Sequence, residues 1–149
     1  MIEYKNGDLF SAPENEYLLH ACNCMGVWGG GVALEFRNRF PNEFQNYKRD
    51  CMLYGKDFLG HATLIGRIVC LFTSYGYGYN KDSELTILDN TRKSLIVLTK
   101  LTELMGKNIH INSPLINAGL FAVPWEKTES IINNWLKSNP NVEWVVWKL

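Results

Sequence analysis

Three consecutive glycines constrain this chain more than any other feature of its sequence. Gly29-Gly30-Gly31 follows a mostly apolar run, Tyr17–Cys22, and precedes a helical pattern that begins at Val32. A glycine in regular structure costs on the order of 1 kcal/mol relative to alanine, so three in a row are typical of a loop with unusual dihedrals or close ligand approach. N–H groups at the start of a helix bind anions. The pattern therefore predicts a strand, a phosphate-binding loop and a helix, although a flexible turn would also fit it.

The glycine run differs from two common nucleotide-binding motifs. No Gly-Lys-Ser/Thr follows it, so it is not a P-loop, and Leu34 stands where the dinucleotide fingerprint needs glycine.

Strand and helix patterns alternate along most of the chain. The predicted strands are Tyr4–Lys5, Tyr17–Cys22, Ala62–Ile65, Ile68–Phe72, Ile109–Asn112 and Val142–Leu149. The predicted helices are Val32–Arg37, Asn42–Tyr54, Ser83–Met105 and Trp125–Leu136. The third helix follows from an apolar stripe that recurs every three or four residues from Leu85 to Leu101 and includes Thr91. The alternation predicts one α/β domain over residues 1–149 with a mixed sheet, whose ligands bind beyond the carboxyl ends of the strands.

A second loop is expected at the same edge of the sheet. Asn117-Ala118-Gly119-Leu120-Phe121 follows the strand that ends at Asn112 and precedes the helix after Pro124. Asn117 and Gly119 are residues that tolerate positive φ. A simple turn would explain this loop equally well, but opposite the glycine run it would complete a clamp for a diphosphate.

Several side chains near these loops have two readings each. His20 could act as an acid or base, or be structural. Asn23 could bind a ribose hydroxyl or phosphate, or cap its own turn, and Asp8 could accept from a base amine, or form an Asx turn. Trp28 could cover a ligand, and Tyr75–Tyr79 could form a lid or a packed surface loop.

Composition excludes some classes of partner. Fifteen basic and fifteen acidic residues give no net charge, so bulk binding to nucleic acid or to a membrane surface is not expected. No apolar stretch is long enough to span a membrane, and the first residues lack the pattern of a signal peptide. We therefore expect a cytoplasmic protein with four reduced cysteines. The spacing of its ligating residues predicts no metal site, no motif indicates a cofactor, and no apolar seam predicts an oligomer, so we expect a monomer.

Four short motifs occur in order over nearly the whole chain. They are Gly7-Asp8-Leu9, Ala21-Cys22-Asn23, Gly29-Gly30-Gly31-Val32-Ala33 and Asn117-Ala118-Gly119-Leu120-Phe121. Together they resemble the macro domain family, which has a three-layer α/β/α fold and binds ADP-ribose. The resemblance implies an adenine contact at Asp8 and phosphate contacts at the glycine run and the second loop.

Longer motifs are similar to one branch, the yeast-type ADP-ribose 1″-phosphate phosphatases. They are His20-Ala21-Cys22-Asn23-Cys24, Gly26-x-Trp28-Gly29-Gly30-Gly31, Leu71-Phe72-Thr73-Ser74 and Ile116-Asn117-x-Gly119-x-Phe121-x-Val123-Pro124-Trp125. The resemblance implies removal of the 1″ phosphate from ADP-ribose, a by-product of tRNA splicing, with His20 as acid–base group or nucleophile and Asn23 orienting the distal ribose. The implied substrate-binding residues are Gly7, Asp8, Leu9, Ala21, Cys22, Trp28, Gly29, Gly30, Gly31, Val32, Thr73, Ser74, Asn117, Ala118, Gly119, Leu120 and Phe121.

Two other functions remain open at this stage. A related branch cleaves ADP-ribose from proteins or nucleic acids with a lysine and, in some members, an aspartate. The matching positions here are Ser74 or Tyr75, and Phe121, so that lysine chemistry is not expected. The second alternative is a module that binds ADP-ribose without turning it over.

Overall fold

A six-stranded sheet forms the centre of the molecule in a computed structural model that describes residues 1–149. The strands are β1 (Glu3–Asn6), β2 (Tyr17–Asn23), β3 (Ala62–Ile65), β4 (Ile68–Ser74), β5 (Ile109–Ser113) and β6 (Val142–Lys148). The helices are α1 (Gly31–Arg39), α2 (Pro41–Tyr54), α3 (Glu84–Met105) and α4 (Trp125–Lys137). The strand order is β1-β6-β5-β2-β4-β3, and only β3 runs antiparallel to its neighbour.

Two pairs of helices cover the two faces of the sheet, which confirms the predicted three-layer α/β/α fold. Successive side chains of a strand point to opposite faces. Leu18 and Cys22 of β2 therefore join the core under α1 and α2, while Leu19 joins the core under α3 and α4. Strand β2 is buried on both faces, as parallel central strands are. We call these two cores the α1/α2 core and the α3/α4 core.

The helix boundaries follow from local sequence. Pro41 occupies the first turn of α2, where its missing N–H costs nothing, and α1 ends just before it. The Ser83 side chain accepts a hydrogen bond from the N–H of Thr86 at the start of α3, and Gly106 ends that helix with φ of 108°. The predicted apolar stripe was wrong at one end, because Leu85 is 79% exposed. None of the four helices combines the length and apolar character that crossing a lipid bilayer requires.

Five strands end at one edge of the sheet, which we call the carboxyl edge. Strands β1, β2, β4, β5 and β6 end there at Asn6, Asn23, Ser74, Ser113 and Lys148, because the sheet is parallel from β1 through β4. The segments that follow them contain nearly all of the residues that the sequence predicts to bind a ligand.

The loss of stability on truncating a leucine of α3 to alanine should depend on how deeply that side chain is buried. Leu98 is fully buried on α3, whereas Leu104 of the same helix is 82% exposed. We expect Leu98→Ala to lower the free energy of unfolding by about 2–5 kcal/mol through lost burial and the cavity left behind. Leu104→Ala should change it by no more than about 0.5 kcal/mol. Urea unfolding followed by circular dichroism measures both, and equal losses would contradict this packing.

Candidate ligand site at the carboxyl edge

Asn23 ends β2 and holds the glycine loop, Cys24–Gly30, in place. Its carboxamide N–H donates to the Val27 carbonyl at 2.7 Å, and its oxygen accepts from the N–H groups of Met25 at 3.0 Å and Val27 at 3.3 Å. The hydroxyl of Tyr47 on α2 donates to the Asn23 backbone oxygen at 2.8 Å and lies 3.0 Å from its side-chain oxygen. Most of this side chain is thus engaged within the protein, and one N–H of its amide remains for a ligand.

The amides of Gly29–Val32 are free of partners within the protein. Helix α1 begins at Gly31, which has φ of 57°, and its N-cap Gly30 has no side chain that could cap the helix. No hydrogen bond from the N–H groups of Gly29, Gly30, Gly31 or Val32 occurs in the structure. Unpartnered N–H groups at a helix start, together with the helix dipole, make an anion site.

Asn117 holds the second loop, Pro114–Val123, from within. Its amide donates to the hydroxyls of Thr91 at 3.0 Å and Thr128 at 3.3 Å, and its oxygen accepts from the Thr73 hydroxyl at 2.9 Å. All four residues are buried, and Asn117 has φ of 64°, as expected. Its side chain therefore links the second loop to β4, α3 and α4 and does not face the carboxyl edge.

The second loop also offers free amides, over a slightly shorter range than expected. The Ala118 N–H donates to the Leu115 carbonyl, whereas those of Gly119, Leu120 and Phe121 have no partner within the protein. Gly119 does not adopt the positive φ that its residue type allows; Ala122 does, with φ of 58°.

The two loops face each other across the carboxyl edge. A Cβ atom on Gly30 would lie 3.1 Å from Cδ1 of Leu120, and one on Gly31 would lie 3.6 Å from the same atom. The Leu120 side chain is itself 68% exposed. The structure thus brings together the two loops that the sequence predicts to form a clamp.

The segment after β1 lies at the same edge. Gly7 donates its N–H to the Lys148 carbonyl at 2.7 Å, and Leu9 is buried. The Asp8 carboxylate accepts from the Phe10 N–H at 3.0 Å, and its other oxygen lies 3.8 Å from an Arg39 nitrogen. Asp8 forms the predicted local turn, and its half-exposed side chain remains accessible to a ligand.

Thr73 and Ser74 are buried, and their hydroxyls form hydrogen bonds with residues of neighbouring loops. The Ser74 hydroxyl donates to the Gly76 carbonyl at 2.8 Å and accepts from the Asp82 N–H at 2.9 Å. The Asp82 carboxylate in turn accepts from the Tyr75 N–H at 2.8 Å. These bonds fix the start of the Tyr75–Tyr79 segment, whereas Tyr79 at its end is fully exposed.

His20 and Trp28 are not brought to the carboxyl edge. The imidazole of His20 is 1% exposed, and its ring stacks on Phe36 with centroids 4.0 Å apart. The Trp28 indole, although it belongs to the glycine loop, is fully buried and stacks on Tyr47 at 4.7 Å, so it does not cover a ligand. Both side chains lie in the α1/α2 core, because His20 shares its strand face with Leu18 and Cys22.

One buried cluster has the chemistry of a metal site. The ligand atoms of His20, Cys22 and Cys70 all lie within 4.8 Å of one another. The hydrogen bond between the two thiols lowers the pKa of Cys70, while burial raises the pKa of Cys22. Thiolate and imidazole donors suit a soft or borderline ion such as Zn²⁺. Two thiols and one imidazole nitrogen are fewer donors than the four of a structural zinc site.

The cysteines near the glycine loop are poor nucleophiles. Burial raises the pKa of the Cys24 thiol to about 12 and that of the Cys51 thiol to about 11. Both thiols are therefore protonated at neutral pH, and the thiolate is the reactive form.

Sequence reasoning missed three residues that support the site. Tyr47 anchors Asn23, and Thr91 and Thr128 anchor Asn117. Thr91 carried a signal, since it is the one polar member of the stripe on α3. Tyr47 shares helical spacing with Phe44 and Cys51, which predicts only a core position, and Thr128 gives no signal.

A polar cavity of about 480 Å³ lies elsewhere on the molecule. Met1, Arg92 and Lys137 are among its lining residues, and none of the loops at the carboxyl edge contributes to it. We assign the site to the carboxyl edge because the free amides are there, whereas the cavity gathers no set of buried polar groups.

A side chain at position 31 should destabilise the protein, because Gly31 has φ of 57°. A left-handed conformation costs a non-glycine residue about 1–2 kcal/mol. We therefore expect Gly31→Ala to lower the free energy of unfolding by about that amount. Gly119→Ala is the matched control, since its Cβ would meet nothing within 4 Å and its φ is not left-handed. Thermal unfolding compares the two, and equal stability of both variants would contradict the described loop.

Asn117 should matter for stability as well as for the loop. Asn117→Ala removes three buried hydrogen bonds and leaves the hydroxyls of Thr73 and Thr128 without their partner, whereas the Thr91 hydroxyl keeps its bond to the Ile87 carbonyl. Each such group costs about 1–3 kcal/mol, so we expect a loss of roughly 2–5 kcal/mol. Asn46→Ala on the exposed face of α2, where the amide oxygen accepts only from Arg49, is the control and should be nearly neutral. Urea unfolding measures both, and a loss below about 1 kcal/mol at Asn117 would rule out the network.

Comparison with known proteins agrees with this architecture. The Macro domain family profile matches residues 19–132. Proteins named ADP-ribose 1″-phosphate phosphatase are similar: that of Meyerozyma guilliermondii is 38% identical, with 88% of this chain and 91% of the relative covered. That of Debaryomyces hansenii is 36% identical, with 95% and 98% covered.

A solved structure extends the comparison to the fold. The macrodomain of Mycobacterium tuberculosis DarG superposes with a TM-score of 0.81 at 28% identity, over 100% of this chain and 98% of that one. The match to the family profile, the similarity to these relatives and the shared fold lead to one conclusion: this chain belongs to the macro domain family.

Proposed function

We propose that this protein is a phosphatase that removes the 1″ phosphate from ADP-ribose 1″-phosphate. The observation that carries the proposal is the pair of facing loops whose amides, Gly29–Val32 and Gly119–Phe121, have no partner within the protein. Such amides suit a diphosphate. The names of the fungal relatives, which cover nearly the whole chain, supply the substrate and the reaction.

Substrate binding follows from the four segments at the carboxyl edge. The diphosphate lies between the two sets of amides, and the half-exposed carboxylate of Asp8 accepts from the amine of adenine. Asn23 gives its remaining N–H to the distal ribose. Because these donors are neutral backbone and carboxamide groups, the site binds an anion without a cluster of lysines or arginines, consistent with the absence of net charge.

The chemistry rests on oriented donors. The glycine loop and the second loop contain no ionisable side chain except the Cys24 thiol, which is protonated at neutral pH. We infer that water attacks the phosphorus, the bond from phosphorus to the anomeric oxygen breaks, and N–H groups stabilise the charge on the phosphoryl oxygens. A proton from water ends on the released anomeric oxygen, and inorganic phosphate leaves. A direct acid–base or nucleophilic role for His20 would require its ring to leave the core.

Three finer statements belong to the same proposal. The substrate is a by-product of tRNA splicing. The protein acts in the cytoplasm, which suits its four buried free cysteines. It acts as a monomer, since both loops of the site come from one chain.

A second candidate is a module that binds ADP-ribose without turnover. The absence of an ionisable group from both loops favours it, because most phosphoryl and glycosyl hydrolases position such a group beside the reacting bond. Cleavage of ADP-ribose from a macromolecule is the remaining alternative, and the same assay separates all three.

Phosphate release from ADP-ribose 1″-phosphate tests the proposal. We expect the wild-type protein to release one phosphate for each ADP-ribose formed over many turnovers. A colorimetric assay measures the phosphate, and chromatography measures the ADP-ribose product. Gly30→Val is the loop variant, because its side chain would meet Leu120, and we expect at least about a tenfold loss of kcat/KM. Leu104→Ala, exposed and remote, is the matched control.

The outcomes distinguish the functions. Tight binding of ADP-ribose without phosphate release would favour the non-catalytic module. Release of ADP-ribose from modified protein or nucleic acid, but not from the 1″-phosphate, would favour the hydrolase. If the protein neither binds ADP-ribose nor releases a product from any of these substrates, the assignment of the site is overturned.

A further inference from the structure

The imidazole of His20 packs against Trp28 of the glycine loop and against Phe36 of α1. Its ring stacks face to face on Phe36, with centroids 4.0 Å apart and planes 10° from parallel. The edge of the Trp28 indole meets the same ring, with centroids 4.8 Å apart at 66°. His20 is thus held between two aromatic rings in the α1/α2 core.

These two rings stand on either side of the three glycines in the chain. Trp28 immediately precedes Gly29, and Phe36 lies on α1, five residues after Gly31. Glycines have no side chains with which to anchor themselves, so the nearest anchors fix the path of the loop. The His20 ring contacts both anchors at once. Trp28 is further stacked on Tyr47, whose hydroxyl donates to Asn23 at the other end of the loop.

Both nitrogen atoms of the ring lie inside the protein. Nε2 lies 3.4 Å from the Cys22 sulfur, and Nδ1 is buried with no hydrogen-bond partner. A proton transfer to substrate needs a heavy atom within hydrogen-bond reach of it, directly or through one water. With the ring 1% exposed and packed between Trp28 and Phe36, neither nitrogen has that access.

We propose that His20 is a positioning residue that supports Trp28 and Phe36 and thereby holds the amides of Gly29–Gly31 in their anion-binding arrangement. It exchanges no proton with the substrate. This inference rests on the proposed function for its kinetic consequences, but its effect on ADP-ribose affinity does not depend on turnover.

The test compares three variants of His20 in the full-length protein. His20→Ala removes the ring, and we expect KM for ADP-ribose 1″-phosphate and Kd for ADP-ribose to rise by about tenfold or more, with a smaller fall in kcat. His20→Phe restores a ring but has no proton to transfer. It should recover most of the affinity that His20→Ala loses, and its kcat should depend on pH as in the wild type.

A proton-transfer role predicts a different pattern. Loss of a general acid or base lowers kcat by about 10²–10⁴-fold and removes one limb of the pH profile. If His20→Phe behaves in that way while still binding ADP-ribose as the wild type does, the positioning role is overturned. If the larger ring prevents folding, His20→Asn replaces it: a wild-type pH profile with raised KM supports the proposal, and a lost limb overturns it.

Leu98→Ala separates positioning from general destabilisation. It removes a fully buried side chain from the α3/α4 core, so it should lower the melting temperature without changing Kd or KM. Affinity loss in Leu98→Ala equal to that in His20→Ala would overturn a specific role for His20. If the wild type releases no phosphate but binds ADP-ribose, the proposed function fails, and the Kd comparison among these variants still tests His20. A stoichiometric zinc ion lost in His20→Asn would also overturn the proposal, since the ring would then be a metal ligand.

Discussion

The site depends on two buried asparagines, each of which fixes a loop at the carboxyl edge. Asn23 bonds to the backbone of Met25 and Val27, and Asn117 bonds to three threonine hydroxyls on separate elements. A buried carboxamide is costly unless its donors and acceptors are satisfied. Because these partners lie inside the protein, the two side chains fix the paths of the loops, and the adjacent peptide groups, with the one remaining N–H of Asn23, are left to contact the proposed substrate.

Neutral donors explain how a protein without net charge can bind a doubly charged diphosphate. N–H groups at the start of α1 and in the second loop have no partner in the protein, and fixed dipoles need no reorganisation when an anion arrives. Side-chain interactions below the loops maintain this arrangement. The aromatic rings of Trp28, Phe36 and Tyr47 support one loop, and the Thr73–Asn117 bond ties the other to the end of β4.

The sequence predicted the fold and the two loops because both depend on local patterns. Apolar periodicity, Pro41 and Gly106 mark the elements, and a glycine run between strand and helix marks the first loop. The orientation of polar side chains could not be predicted from local sequence patterns. His20 and Asn117 have residue types that are common in functional sites. The alternation of side chains along β2 places His20 in the core, and hydrogen bonds to partners on α3 and α4 keep the Asn117 side chain inside the protein. Such partners, Thr91 and Thr128, lie 26 and 11 residues away in the chain, so no local pattern reveals them.

The central claim is that backbone amides of two facing loops receive the diphosphate, and amide NMR tests it most directly. Titration of ¹⁵N-labelled protein with ADP-ribose should shift the resonances of Gly29–Val32 and Gly119–Phe121 most strongly. Residues that line the polar cavity, such as Arg92 and Lys137, should stay unchanged. The largest shifts at that cavity, with the two loops unaffected, would contradict the account.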